Sequence, residues 1–242
     1  MAKARQANRR ANPATGPAKD PAAAYAQGGH ARPELISGHV ALDLVNTVSW
    51  RLDPARTLDR LSDTDALVGW VLAAGVLPDE QAQRLSPAQD VPAASGPALE
   101  RVRRLRESAY RLLRPIALGS PVEKADVERV QRAVTRALAH ARVGDVVPWR
   151  WEVDVRGPDD LPTALTLEVW RLLQFEDLTR LRECRDRDCG WLFLDRSKNA
   201  SRTWCSSADC GNRKRARRHY ERVRESTTSG DTDASGDVRA ER

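Results

Sequence analysis

All four cysteines of this 242-residue chain lie between positions 184 and 210. Cys184 and Cys189 are separated by four residues, as are Cys205 and Cys210, with fifteen residues between the pairs. Two close pairs joined by such a spacer let four thiolates converge on one tetrahedral ion, each at about 2.3 Å from zinc. Four protein sulfurs leave no open position for an activated water, so the expected Zn2+ is single and structural, folding a segment too small to fold alone. Two disulfides, or inert buried thiols, are the competing readings. The opening MAKARQANRRANPATGPAKD lacks an apolar leader, which places the expected protein in a reducing cytoplasm where thiols stay free. Iron–sulfur spacings are not matched. The four histidines, at 30, 39, 140 and 219, are scattered, and no nucleophile motif or phosphate-binding glycine loop occurs, so the chain reads as a non-enzyme.

The residues around the cysteines set the geometry. Gly190 to Asp195 reads as a strand, Arg196 to Ala200 as a turn and Ser201 to Trp204 as a returning strand. Ser206 and Asp209 have capping spacing, which puts Cys210 in the first turn of a helix, where the positive helix end favours a thiolate. Knuckle, hairpin and helix in that order give a treble-clef-like finger. The helix GNRKRARRHYERVRES is densely cationic, and Arg213, Lys214, Arg215, Arg217, Arg218 and Arg222 are its candidate nucleic-acid contacts. Ala216, Tyr220 and Val223 form a thin apolar stripe expected to dock on the hairpin or the middle of the chain. DNA is the expected target. RNA is the alternative if Trp191, Phe193 and Trp204 stack bases instead of building the core of the finger.

The net charge of +6 is unevenly spread. Residues 1–34 carry 6 basic and 2 acidic side chains, and residues 35–183 carry 20 and 22. Residues 184–225 carry 12 and 6, and residues 226–242 carry 2 and 4. The division predicts a disordered basic arm over 1–34, a near-neutral domain over 35–183, the finger over 184–225 and a disordered tail over 226–242. No run of 18 apolar residues occurs, so no membrane span is expected.

Within the middle domain, HVALDLVNTVSW favours a short helix over a strand. Ser62 and Asp65 resemble a cap for a helix stopped by Pro78, and residues 86–97 read as a loop. Apolar positions at helical spacing predict helices over 98–118, 121–142 and about 161–177. The arginines of the first of these, from Arg101 to Arg114, read as a solvated face. Alternation from Trp149 to Arg156 predicts a half-buried strand. The expected class is α+β: a mostly helical N-terminal domain with a little sheet, followed by the finger.

Cys210-Gly211-Asn212-Arg213 spells the signature of the CGNR zinc-finger family, and Asp195, Ser197, Arg202 and Trp204 fall where that family expects them. Upstream, LDLVNT, with Asp43, Asn46 and Thr47, resembles the opening of the ABATE domain that precedes this finger, although Leu44 replaces a commonly aromatic residue. The resemblance implies a bacterial stress-induced transcription regulator with zinc at Cys184, Cys189, Cys205 and Cys210 and DNA binding by the finger. The N-terminal domain would then sense a signal or form a homodimer. A redox-responsive protein-interaction module built on the zinc thiolates is the alternative function. Asn212 reads as a buttress of the zinc loop. Arg213 reads equally as a phosphate or base contact and as a partner of Asp195. Asp43 and Asn46 read as residues that tie down the first helix.

Overall fold

The computed structural model describes residues 36–85, 96–145 and 147–229. The arm expected over 1–34, most of the loop expected over 86–97, and residues 230–242 of the expected tail lie outside the described residues. The final helix runs to Ser229, four residues into the segment read as tail.

Helix α1, Val40–Val45, buries Val40, Ala41, Leu42, Leu44 and Val45, as the helical reading of that stretch requires. His39 caps it by accepting the Ala41 N–H on Nδ1 at 3.1 Å. A two-residue strand β1 (Val48–Ser49) follows and pairs antiparallel with β2 (Leu58–Asp59). Helix α2, Thr64–Ala74, is capped by Asp63, which accepts the Ala66 N–H at 2.8 Å, so the expected cap at Ser62 is one position early. It ends at Gly75, whose φ of 62° is a left-handed stop, and not at Pro78. Pro78 instead begins α3, Asp79–Arg84, which buries no side chain and so offered no apolar stripe to read.

Helix α4, Gly96–Ala117, is the organising element of the helical domain. One face buries Leu99, Val102, Leu105, Ala109, Leu112 and Leu113. It packs against α5 (Lys124–Ala139) and α6 (Leu161–Phe175), which also pack on each other, and α1 lies against α4 and α6. Fully burying each such leucine contributes roughly 1.5–3 kcal/mol.

The arginines of α4 form the expected solvated face only in part: Arg101, Arg104 and Arg111 are exposed, Arg103 and Arg114 are half-buried, and Arg106 is buried. Arg106 is buried, donates to both carboxylate oxygens of Asp59 at 2.7 and 2.8 Å and reaches Thr47 Oγ1 at 3.1 Å. Arg103 donates to the Leu61 carbonyl, Arg111 pairs with Asp126 and Arg114 with Glu183. The charges follow tertiary partners that lie far away in sequence.

Helix α5 starts at Lys124 and ends at Ala139, shorter at both ends than expected. Its exit supplies β3 (Arg142–Val143), which pairs antiparallel with β4 (Trp151–Glu152). The strand expected from Trp149 to Arg156 is therefore only two residues long, because its partner is no longer than that. Trp149 is 73% exposed, whereas Val155 is fully buried in the helical core.

Asp43 is the one acid of α1. Its Oδ1 accepts the Ser37 N–H at 3.3 Å while its buried Oδ2 has no partner among the described residues. Burial dominates the Ser37 hydrogen bonds and the Arg202 charge, and raises its pKa to about 6. A raised carboxyl pKa makes folding favour the protonated form, so this group costs no stability below about pH 4. It costs progressively more as pH rises through 6, up to about 3 kcal/mol at 1.36 kcal/mol per pKa unit. Asp43→Asn should therefore raise the denaturation midpoint at pH 8 and leave it near the wild-type value at pH 4. Urea titrations at the two pH values check this, and equal effects at both would refute it.

Candidate metal centre

The last two strands, β5 (Leu181–Glu183) and β6 (Leu192–Leu194), pair antiparallel with Glu183 opposite Leu192 and Leu181 opposite Leu194. The turn between them is the first cysteine knuckle, closed by Cys184 N–H to Trp191 O at 2.8 Å and Cys189 N–H to Asp186 O at 3.0 Å. The hairpin thus encloses the first cysteine pair. The returning strand expected over Ser201 to Trp204 is absent, because Asp195 gathers that stretch into a loop. Its Oδ1 accepts from Ser197 N and Oγ at 2.9 and 2.5 Å, and its Oδ2 accepts from Arg202 N at 2.9 Å.

Arg202 completes the loop. It donates to the carbonyls of Trp204 and Ile36 at 2.9 and 2.7 Å, and to that of Cys205. Its guanidinium carbon lies 4.4 Å from the Phe193 ring centroid. The residues that carry the sequence resemblance here are scaffold residues of the metal loop.

The second pair enters through a turn over Ser207–Gly211 that leads into α7, Asn212–Ser229. Ser206 caps the turn, its Oγ accepting the Asp209 N–H at 3.2 Å, as the spacing predicted. Asn212 donates to the Ala208 carbonyl at 2.6 Å and also accepts from Arg215, which confirms its buttressing place.

The ligand atoms of Cys184, Cys189, Cys205 and Cys210 all lie within 4.8 Å of one another, and all four residues are buried. Cys189 and Cys205 sulfurs are 3.7 Å apart, and those of Cys205 and Cys210 are 3.4 Å apart. A sulfur tetrahedron around zinc with bonds of about 2.3 Å has edges near 3.8 Å, so the spacing fits the ion. All four thiols are free, which removes the disulfide reading.

Packed together, the thiols cannot all ionise unaided. Hydrogen bonds from the other three sulfurs pull Cys184 well below the usual thiol range, while Cys184 foremost, together with burial, pushes Cys189 and Cys205 far above it. A divalent cation relieves this conflict by stabilising every thiolate at once. The donor set is all sulfur, so the four cysteines form a site for one zinc ion. Phe193, fully buried, fills the small core behind them, with Trp191 and Trp204 packed partly buried at its edge.

Strand β6 also joins the metal module to the helices. Leu192 and Leu194 face the helical core, and Phe193 between them faces the cysteines. Asn46, buried at the end of α1, holds the backbone of Leu192 at both ends of the residue. Its Nδ2 donates to Leu192 O at 2.8 Å and its Oδ1 accepts from Leu192 N at 2.9 Å. Trp191 Nε1 donates to Val48 O at 2.9 Å, and Arg51 N donates to Cys189 O at 3.1 Å. Gly190, with φ of 70°, sits where a Cβ would lie 3.0 Å from both Arg51 Cβ and Leu52 Cγ. Asn46 of LDLVNT therefore serves the docking of the finger as well as the end of α1, whereas Thr47 stays within the helical domain, donating to the Leu44 carbonyl at 2.7 Å.

Of the six cations expected to contact nucleic acid, two turn toward the knuckle. Arg213 Nε pairs with buried Asp186 at 3.0 Å, and its Nη2 lies 2.7 Å from Cys210 Sγ. Arg217 approaches Asp186 at 3.6 Å and Asp188 at 3.9 Å. The expected Arg213 partner, Asp195, is instead consumed by its own loop. Burial opposes the Arg213 charge, but the Cys210 sulfur and the Asp186 carboxylate outweigh it and hold its pKa above the ordinary arginine value. Lys214, Arg215, Arg218 and Arg222 have no ion-pair partner among the described residues. Ala216 is exposed and Tyr220 is 69% exposed, so neither docks on the hairpin or the helical domain as expected. The side chain of Val223 lies outside the described residues. Sequence reasoning missed Asp186 and Trp50. The position of Asp186 inside the knuckle was its only signal, and Trp50 had none.

Two family models match the chain. ABATE, described as "Putative stress-induced transcription regulator", covers residues 38–175, and the CGNR zinc finger covers residues 180–223. No curated protein matches.

Two measurements probe the centre and its attachment. Metal analysis should return one zinc per chain, and none for Cys205→Ser. Asn46→Ala leaves the Leu192 N–H and C=O unpaired in a buried place and should cost about 3 kcal/mol in urea unfolding. A loss below about 0.5 kcal/mol would show that the clamp contributes little beyond an ordinary surface contact.

Proposed function

The chain belongs to the ABATE family, followed by a CGNR zinc finger, and from that premise we propose that it is a transcription regulator that binds DNA through α7. The observation that carries this reading is the sector of that helix whose cations make no ion pair among the described residues. At about 100° per residue, Arg213 and Arg217 share the inward side, while Lys214, Arg218, Arg222 and Arg215 fall within a neighbouring sector about 100° wide. From Arg218 to Arg222 every side chain is exposed, so the stripe projects beyond the metal module. The four cations of this sector outnumber Glu221 and Glu225, the two acids of the helix, and suit the phosphates of a duplex.

The metal centre contributes rigidity. A zinc bound there would hold Cys210, in the turn that leads into α7, and so tie the start of the stripe to a closed site with no catalytic opening. Phe193 and Trp191 are engaged in the fold, and this favours backbone contact over base stacking and hence DNA over single-stranded RNA. The helical domain is the sensing or dimerising part. Val147, Trp149 and Phe175 leave large apolar groups on its surface that a second copy would cover. No helix among the described residues is long and apolar enough to cross a membrane.

Binding of zinc-loaded protein to mixed genomic DNA should weaken steeply with salt. Replacing Arg218 and Arg222 together by Ala should flatten the log–log salt slope by about 1.8, at about 0.9 per phosphate contact, with zinc content unchanged. Absence of any binding at low ionic strength would overturn the proposal.

A further inference from the structure

Two arginines from different parts of the chain meet on one tryptophan. The guanidinium carbon of Arg213 lies 4.4 Å from the Trp50 ring centroid, and that of Arg56 lies 4.0 Å from it. Trp50 belongs to the loop between β1 and β2 of the helical domain, and Arg213 to the first turn of α7. Arg213 also donates to Asp186 and to Cys210 Sγ, so a single planar group touches the helical domain, the knuckle and a metal ligand. Arg56 extends the cluster, donating to Asp188 at 2.8 Å. Lysine could not reproduce this arrangement, because only a guanidinium offers a flat face to a ring while its edge donates in several directions.

The backbone at Trp50 is held in an unfavourable conformation. Its φ of 56° lies in the left-handed region that bulky L residues avoid. The next two residues fix it there: Arg51 N donates to Cys189 O at 3.1 Å and Leu52 N to Asp188 O at 3.4 Å. A strained residue pinned by contacts with a neighbouring module is the pattern of a constraint maintained for what it positions. Here it places the Trp50 ring under Arg213. Beyond Arg213, α7 is tied back by Arg215, which donates to the Ser207 carbonyl at 3.2 Å, and by Arg217, which approaches Asp186 at 3.6 Å and Asp188 at 3.9 Å.

We propose that Arg213 and Trp50 are positioning residues through which the helical domain sets the direction of α7, and that Arg213 is not itself a DNA contact. The helix orientation is then a property of both domains together, and a change in the β1–β2 loop re-aims the cationic stripe without touching it. The part concerning DNA rests on the DNA-binding reading above, whereas the orientation of the helix does not.

The test uses the full zinc-loaded chain, with Trp50→Ala, Trp50→Phe, Arg213→Ala and Arg213→Lys variants. Spin labels are placed through non-canonical amino acids at Lys124 and His219. Without DNA, wild type and Trp50→Phe should give one narrow distance distribution. Trp50→Ala, Arg213→Ala and Arg213→Lys should broaden it, with one zinc per chain retained. An unchanged distribution in Trp50→Ala and Arg213→Ala overturns the proposal. If Arg213→Ala loses zinc, Trp50→Ala still decides, because Trp50 touches no sulfur.

With DNA, Arg213→Ala should lower affinity about ten-fold at fixed salt, a loss near 1.4 kcal/mol, while the salt slope stays at the wild-type value. A slope flatter by about 0.9 would make Arg213 a phosphate contact and overturn that part. Should wild type bind no DNA, the proposed function fails while the distance distributions still judge the positioning role.

Discussion

A strand of three residues, Leu192–Leu194, has to satisfy two cores at once. Alternation sends Leu192 and Leu194 into the helical core and Phe193 into the thiolate cluster. Each face is apolar, so exposing either would forfeit the burial that holds its module. The strand gains one ladder from β5 and one clamp from Asn46, and these fix which residue faces which side. A slip of one position would exchange the faces, placing a leucine against the sulfurs and Phe193 among the helices. The metal site, the end of α1 and the path of the chain into α7 all take their positions from that register.

Charge is handled by pairing across long sequence separations. Four thiolates and Asp186 would make a strongly negative pocket; zinc and the guanidinium groups of Arg213 and Arg217 offset it. The same logic operates beneath the knuckle, where Arg51 donates to Glu107 at 2.8 and 3.1 Å and lies over the Tyr110 ring. Arginine serves these places because its edge and face can be used together. What distinguishes the cations of α7 is the side of the helix they occupy. Arg213 and Arg217 are absorbed by the fold, while Arg218 and Arg222, one turn on, remain outside it.

The sequence disclosed those features whose cause is local. Two cysteine pairs announce their metal because ligand chemistry needs only sulfur and spacing. The apolar rows of α4 and α6 announce helices because their period is written into consecutive turns. The cap at Ser206 was legible for the same reason. Features set by distant partners were not. Nothing near Leu181 marks it as the mate of Leu194, so the sequence points to Ser201–Trp204 as the partner strand, whereas β5 takes that place. Asp195 is the acid the sequence suggests for Arg213, but the loop it closes with Ser197 and Arg202 takes it, and Asp186 pairs with Arg213 instead. The eight-residue alternation from Trp149 to Arg156 suggests a longer strand than the two residues, Trp151–Glu152, that its neighbour allows. Asn46 looked like a helix end and is one, but its amide also completes another segment's hydrogen bonding.

That clamp has a thermodynamic corollary. Because Asn46 and the strand it grips belong to different modules, folding of the metal loop and closure of the helical core over Leu192 are linked equilibria. Linkage is reciprocal. A molecule that binds the helical domain more tightly when the finger is seated must tighten the hold on zinc by the same factor, and loss of the ion must weaken that binding equally. The affinity of the metal is therefore not a constant of its four ligands alone; it reports on the state of a domain that contributes none of them.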